Sequence, residues 1–258
     1  MLGAIAGDII GSVYEHSPVD SIDFDLFPPG SRFTDDSVLS VAVAEAILSD
    51  GDYRTQLLNW GLRYPRAGYG RSFHDWLHRG GGAPYNSWGN GSAMRVGPVG
   101  WAFDNEHEVL EQARASAAVT HDHAEGIKGA QATALAVFMA RQGQSMTMIK
   151  ARISEQFGYD LSRSLAEIRP DYGFDVSCQG SVPEAIIAFL ESDDYEGAVR
   201  NAVSLGGDAD TQACIAGGIA EAFYGEVPAD IVEQAEQRLP EEMRDVIRRF
   251  EQWRQSRQ

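Results

Sequence analysis

Apolar residues recur along this chain at the three- and four-residue spacing of α-helices, and this periodicity constrains the fold most. Between Thr34, a predicted N-cap, and Leu48 the residues at helical spacing are Val38, Leu39, Val41, Ala42, Ala46 and Ile47. The pattern predicts further helices over roughly 106–118, 124–142, 145–157, 183–191, 194–204, 209–224 and 229–255. The last is expected to be interrupted near Pro240. Because the alternation typical of strands is almost absent, the sequence predicts an all-α fold.

Length and composition favour one large globular domain. The chain has 258 residues, of which 43% are hydrophobic and 23% charged, enough apolar material for a sizeable core. No linker divides it, so we predict a single domain over 1–258. The net charge of −17 argues against nucleic acid as a general partner, because phosphate binding depends on clustered Lys and Arg.

The cysteines and the N-terminal segment indicate the cellular compartment in which the protein is expected. Cys178 and Cys214 form neither a CxxC motif nor a disulfide framework. The apolar start MLGAIAGDIIGS lacks the basic flank of a signal peptide and is interrupted by Asp8. No run approaches the ~20 apolar residues of a membrane span. We therefore expect a cytoplasmic monomer with no membrane partner.

A long segment rich in glycine, proline and aromatic residues runs from Arg63 to Gly100. It has no clear helical or strand period, so we predict that it is irregular. Long irregular segments inside compact domains tend to carry function, because a rigid core positions their exposed side chains. We expect binding residues here.

Two predicted helices begin with a threonine and two aspartates. The first motif is Thr34, Asp35 and Asp36, and the second is Asp208, Asp210 and Thr211. Each alone is explained by helix capping and by the helix dipole. If both helix starts face one point, however, four carboxylates converge, and neither motif contains a lysine or arginine to balance them. Two divalent cations would do so, and all-oxygen ligation suits Mg²⁺ or Mn²⁺ better than zinc.

Five segments, in order, make the chain similar to a known family. They are GAIAGDIIGSVYE, RFTDDS, SWGNGSAMRVGP, THDHAEGIKGAQATALAV and GGDADTQACIAGGIAEAFYG. On these residues the chain resembles the ADP-ribosylglycohydrolases, whose bacterial members include the dinitrogenase-reductase-activating glycohydrolase. The resemblance implies a compact orthogonal helical bundle with a binuclear magnesium site in a central cleft. It also implies hydrolysis that removes ADP-ribose from a modified side chain.

The resemblance assigns the residues of a metal site and of catalysis. The implied metal ligands are Thr34, Asp35, Asp36, Asp208, Asp210 and Thr211. Glu15 falls where family members carry a glutamate on a mobile segment near the metals; without the family, an exposed loop glutamate is the simpler interpretation. We expect Asp36 to help activate water and Glu15 to gate the site or handle protons, although the two roles can be exchanged.

The resemblance also implies a binding site for ADP-ribose. The glycine-rich segment Ser87, Trp88, Gly89, Asn90 and Gly91 would approach the phosphates through backbone N–H groups. Trp88 would stack on adenine, with a core aromatic as the alternative. His121 would contact the ligand. His123 receives no role, and an HxH pair without a third ligand is weak support for zinc, since capping or surface histidines are commoner.

We therefore expect a hydrolase that acts on ADP-ribosylated protein, with arginine as the first acceptor and serine or another group as alternatives. A non-catalytic ADP-ribose-binding protein of the same fold is the second hypothesis, and an intact Glu15 with a full ligand set argues against it. A di-iron or di-manganese oxidoreductase would need Glu-x-x-His pairs. None of the six histidines follows a glutamate at that spacing.

Overall fold

The computed structural model describes residues 1–49 and 51–257. Within them no β-strand is found, and one isolated antiparallel bridge joins Gly89 to Ser177. The helices are α1 (Leu2–Gly11), α2 (Asp35–Leu48), α3 (Tyr53–Arg63), α4 (Arg71–His78), α5 (Gly91–Met94), α6 (Gly97–Ala102), α7 (Glu106–Ala118), α8 (Ala124–Arg141), α9 (Met146–Phe157), α10 (Leu165–Ile168), α11 (Cys178–Leu190), α12 (Tyr195–Val203), α13 (Ala209–Tyr224), α14 (Ala229–Glu236) and α15 (Glu241–Gln255). The prediction of an all-α fold is confirmed.

Helix α13 lies at the centre of the hydrophobic core and is buried along nearly its whole length. Helix α1 packs along it, and α8, α11 and α12 also contact it. The close approach of α1 depends on glycine, since a Cβ atom at Gly7 or Gly11 would collide with the backbone carbonyl of Ala213 or Ala209. Small residues here permit tight helix packing at some cost in helix propensity.

Most predicted helices agree with the structure because their start signals are local. The side chain of Thr34 caps α2 by accepting a hydrogen bond from the Asp36 amide. The interruption expected near Pro240 separates α14 from α15, and Pro240 itself is the N-cap of α15. The helix predicted from 183 begins earlier, at Cys178, because the Ser177 side chain accepts a hydrogen bond from the Gly180 amide.

The segment 63–100 is less irregular than predicted. It contains α4, α5 and most of α6. Helix α4 buries Phe73, Trp76 and Leu77, whose spacing of three and four residues places them on one helix face. The glycines and prolines around this short helix obscure its period in the sequence.

The fold brings distant helix ends together. The C-terminal end of α1 and the starts of α2, α5 and α13 meet at one place. The two aspartate motifs lie there, at the starts of α2 and α13. No helix in the described ranges combines the length and apolar character needed to cross a bilayer.

Candidate active site

A cavity of about 480 Å³ opens where these helix ends meet. It is lined by every site residue expected from the sequence except Trp88: Glu15, Thr34, Asp35, Asp36, Ser87, Gly89, Asn90, Gly91, His121, Asp208, Asp210 and Thr211. The two aspartate motifs, whose residues Asp36 and Thr211 are 175 positions apart in sequence, therefore face one cavity.

The starts of α2 and α13 contact each other through side chains. The hydroxyl group of Thr211 donates to Oδ2 of Asp36 across 3.3 Å. Asp208 precedes α13, and its Oδ2 accepts a hydrogen bond of 2.7 Å from Nδ2 of the Asn90 side chain. The glycine-rich segment, through Asn90, is thus joined directly to the second aspartate motif.

Carboxylate oxygens converge in two overlapping groups. One oxygen each of Asp8, Asp36 and Asp210 lie within 4.8 Å of one another, as do one oxygen each of Glu15, Asp208 and Asp210. Asp210 belongs to both groups. Such convergence is unfavourable without counter-charge, because each charge disfavours ionisation of the others.

The pKa values reflect this arrangement. Burial, and after it the charge of Asp210, raises the pKa of Asp8 to about 7. The same two causes, in the same order, raise the pKa of Asp35, Asp36 and Asp208 well above its usual range. Among the described residues, no salt bridge joins any of these carboxylates to a lysine or arginine.

The donor set fits a hard divalent cation. Oδ1 of Asp36 is fully buried and has no hydrogen-bond partner, which is costly for a carboxylate oxygen unless a cation contacts it. The neighbouring groups are carboxylates and the hydroxyl groups of Thr34 and Thr211, so every candidate ligand atom is an oxygen. Oxygen donors of this kind suit Mg²⁺ or Mn²⁺.

Asp8 is the member of this cluster that sequence reasoning missed as a site residue. It lies on α1, is fully buried, and accepts hydrogen bonds from the backbone and side chains of Thr34 and Ser37. The available signal was a carboxylate inside an apolar helix, where a charged group needs several partners.

Glu15 lies in the turn after α1 at the edge of the cavity. Its side chain is 24% exposed, and Oε2 lies 3.6 Å from Nε2 of the exposed His16. Burial first, and then the charge of Asp210, raises the pKa of Glu15. Glu15 therefore joins the second carboxylate group and is not a freely solvated loop residue.

The glycine-rich segment is held by main-chain hydrogen bonds to the chain before α11. The Asn90 amide donates to the Val176 carbonyl, and the Cys178 amide donates to the Trp88 carbonyl. A Cβ atom at Gly91 would lie 3.2 Å from Nε2 of His121, so a larger residue would crowd the imidazole. The segment lines the cavity with little side-chain bulk.

Trp88 does not line the cavity and is 49% exposed, so its interpretation as a core aromatic is wrong. The segment paired with it carries Phe174 and Val176, which do line the cavity and are 60% and 45% exposed. Exposed apolar side chains grouped in this way are typical of a binding surface.

His121 is buried, with its Nδ1 atom 2.7 Å from the Thr120 hydroxyl group. Thr120 in turn accepts a hydrogen bond from the fully buried Arg95. Burial, and then the charge of Arg95, lowers the pKa of His121 well below its usual range, so the imidazole is neutral. His123 caps α8 by accepting from the Glu125 amide, which agrees with the capping interpretation.

Other lining residues were not singled out in the sequence. Arg95 and Tyr85 are two of them, and a further set comes from the segment before and within α4. That set comprises Ala67, Gly68, Gly70, Arg71, Ser72 and Phe73. The expectation that the segment 63–100 carries binding residues identified the region but not these positions.

Comparison with known proteins gives consistent matches. The family model described as ADP-ribosylglycohydrolase matches residues 1–258. The chain is 28% identical over 305 residues to human ADP-ribosylhydrolase ARH3, covering 87% of this chain and 84% of that protein. It is 26% identical over 263 residues to the ADP-ribosylarginine hydrolase Tri1 of Pseudomonas putida, covering 87% and 69%. A solved structure described as an ADP-ribosylglycohydrolase-related protein complex superposes with a TM-score of 0.72 at 26% identity, covering 96% and 95%.

Proposed function

The chain belongs to the ADP-ribosylglycohydrolase family, and on that premise we propose that it is a metal-dependent hydrolase that releases ADP-ribose from a modified protein side chain. The family relatives are named as ADP-ribosylhydrolases, so the chain is a glycohydrolase acting on ADP-ribose linkages. We also propose that residues 1–258 form one domain of this family, since the family model spans all of them.

The observation that carries the proposal is the set of buried carboxylates that form no salt bridge with a lysine or arginine of the described residues, beside the unpartnered Oδ1 of Asp36. We propose two Mg²⁺ ions, or Mn²⁺, as the missing charge. Two overlapping groups of carboxylate oxygens share Asp210, and each contains one further proposed ligand, Asp36 in the first and Asp208 in the second, which supports two ions better than one. The proposed ligands are Thr34, Asp35, Asp36, Asp208, Asp210 and Thr211, in a binuclear site at the bottom of the cavity.

ADP-ribosyl bonds break through an oxocarbenium-like state at the anomeric carbon. When bound, the cations would supply positive charge that orients the ribose hydroxyls and acidifies water. Asp36, which lines the cavity beside the proposed cation site, is the proposed acceptor of the proton from the attacking water. Glu15, at the cavity edge, would gate the site or return a proton to the leaving side chain. Exchange of these two roles is equally compatible with their positions.

The same cavity offers a binding site for ADP-ribose. We propose that the backbone N–H groups of Ser87, Trp88 and Gly91 face the phosphates, since those of Gly89 and Asn90 already donate within the protein, and that neutral His121 donates a hydrogen bond from Nε2. The short contact between Nδ1 and the Thr120 hydroxyl supports this tautomer, because Thr120 accepts from Arg95 and has its own hydrogen free for Nδ1. Trp88, exposed on the glycine-rich segment next to the cavity-lining Ser87 and Gly89, is the proposed stacking partner of adenine.

For the acceptor we propose arginine, because the Pseudomonas putida relative is named as an ADP-ribosylarginine hydrolase. The name of the human relative leaves the acceptor open. The physiological partner would then be a protein ADP-ribosylated on arginine. Serine is the alternative acceptor for the same site.

The proposal is tested by incubating the protein with arginine-, serine- and nucleobase-linked ADP-ribose, with Mg²⁺ and with excess EDTA. We expect release of ADP-ribose from the arginine conjugate in Mg²⁺ alone. Release from serine alone would correct the acceptor, and full release in EDTA would overturn the metal site. Tight ADP-ribose binding without release from any conjugate would favour a non-catalytic binding protein.

A further inference from the structure

Asp8 on α1 contacts the start of α2 through both carboxylate oxygens. Its Oδ2 accepts from the Thr34 amide at 2.9 Å, from the Ser37 amide at 3.1 Å, and from the Ser37 hydroxyl. Its Oδ1 accepts from the Thr34 hydroxyl at 2.6 Å. Asp8 is not among the proposed metal ligands. It nevertheless accepts hydrogen bonds from both the amide and the hydroxyl group of Thr34, which is one of those ligands.

The hydrogen bonds fix the direction in which the Thr34 hydroxyl points. A threonine hydroxyl has one hydrogen and two lone pairs. The hydrogen goes to Oδ1 of Asp8, since that oxygen lies 2.6 Å from Oγ1, whereas Oδ2 of Asp36 lies 3.4 Å away. One lone pair accepts from the Asp36 amide at 3.3 Å. The second lone pair of the Thr34 hydroxyl remains available on the side that faces Asp36.

The oxygens of Thr34 and Asp36 therefore face each other with no hydrogen between them. Two oxygens with opposed lone pairs repel unless a cation lies against both. The other oxygen of the same carboxylate, Oδ1 of Asp36, is buried with no hydrogen-bond donor against it. Loss of a partner that orients a metal ligand in this way typically lowers metal affinity by about 10–100-fold.

We propose that Asp8 is a positioning residue: by taking the hydroxyl hydrogen of Thr34, it turns a lone pair of that hydroxyl toward a divalent cation bound at Asp36. This inference rests on the metal site of the proposed function. The packing of α1 supports it, because Gly7 and Gly11 bring the helix against the backbone of α13 and leave Asp8 little freedom to move.

The variant Asp8→Asn reverses the direction of one hydrogen bond. The amide oxygen would take the place of Oδ2, where three donors converge, and the amide nitrogen would then face Oγ1 of Thr34. That nitrogen can only donate, so the Thr34 hydrogen turns toward the cation. We expect Mn²⁺ to bind about 10–100-fold more weakly, the range for partners of metal ligands. The measurement is calorimetric titration of metal-free protein.

Asp8→Asn also removes a negative charge, which would weaken cation binding at any orientation of Thr34. The Thr34→Ala background separates the two effects, because the charge is lost there as well but no hydroxyl remains to be turned. We expect Asp8→Asn to cost at least about threefold less affinity in that background than in the wild type. Ser37→Ala is the matched control; it removes a donor to Asp8 but leaves Thr34 oriented, so near-wild-type affinity is expected.

The outcomes are distinguishable. If the wild-type protein binds no divalent cation, the proposed function fails and the inference with it. If it binds, but Asp8→Asn binds equally well or loses the same factor with and without the Thr34 hydroxyl, the inference alone is overturned. Circular dichroism establishes that each variant is folded. Should Asp8→Asn not fold, Asp8→Ser is compared in the same two backgrounds, and equal losses there overturn the inference.

Discussion

Raising the pH should destabilise the metal-free protein, because the carboxylates around Asp8 are more easily protonated when folded than when unfolded. Burial and the charge of Asp210 raise the pKa of Asp8 from 3.8 to about 7. Between these two values the folded state holds a proton that the unfolded state has lost. The resulting stability is complete below pH ~4 and is lost as the pH rises through about 7.

The size of the effect follows from the same shift. One pKa unit corresponds to about 1.4 kcal/mol, so Asp8 alone should lower the free energy of unfolding by about 4 kcal/mol between pH ~4 and ~8. Roughly 1 kcal/mol of this falls between pH ~6.5 and ~8. The pKa values of Asp35, Asp36 and Asp208 are also raised, so their contributions have the same sign.

The assay is urea unfolding of metal-free protein at a series of pH values, repeated in saturating Mg²⁺. His121 acts in the opposite direction, because its pKa is lowered and its contribution is lost as the pH falls below about 6.5. It should do so with and without metal, so the difference between the two curves isolates the carboxylates. We expect Mg²⁺ to stabilise the protein increasingly as the pH rises.

The reasoning is refuted if the metal-free protein gains about 0.4 kcal/mol or more of stability between pH ~6.5 and ~8, because deprotonation of the unfolded-state imidazole of His121 would by itself supply that gain. A stabilisation by Mg²⁺ that does not depend on pH would likewise show that the ion does not bind to these carboxylates.

Four substitutions extend the test. Asp36→Asn should melt at or above the wild-type temperature without metal but gain little from Mg²⁺, whereas equal gains in both proteins would remove Asp36 from the ligand set. Glu15→Gln should lose most turnover while retaining ADP-ribose binding by calorimetry; abolished binding in a folded protein would contradict its proposed role. Trp88→Ala should weaken ADP-ribose binding by about 1–3 kcal/mol, and an unchanged dissociation constant would exclude stacking. Gly7→Ala should lower the free energy of unfolding by about 1–3 kcal/mol or more, because the added Cβ meets the Ala213 carbonyl. An unchanged free energy of unfolding in urea would show that α1 can move away from α13 at little cost.

The helices and the two aspartate motifs could be predicted because their signals are local. Thr34 and Asp36 stand two residues apart, and a threonine followed by acidic residues is typical of a helix start. Their convergence with the second motif required the resemblance of the whole chain to a family, since no local rule brings together residues so far apart in sequence. The metal-binding roles themselves stay predictions.

Asp8 and Arg95 could not be assigned in the same way. The partners of Asp8 lie 26 and 29 residues away, and those of Arg95 lie 21 and 25 residues away. Their buried positions depend on how helices pack, which helical periodicity does not specify. Helix α4 was missed for a different reason, because its single apolar face is too short to stand out among the surrounding glycines.

The packing of α1 on α13 has a consequence for synthesis of the chain. The two helices are separated by roughly two hundred residues, so at ribosomal rates of about 5–20 residues per second α1 emerges roughly 10–40 s before its partner. Contacts between such distant segments also form slowly, since a long loop must close first. During this interval the apolar surface of α1 is exposed on the nascent chain.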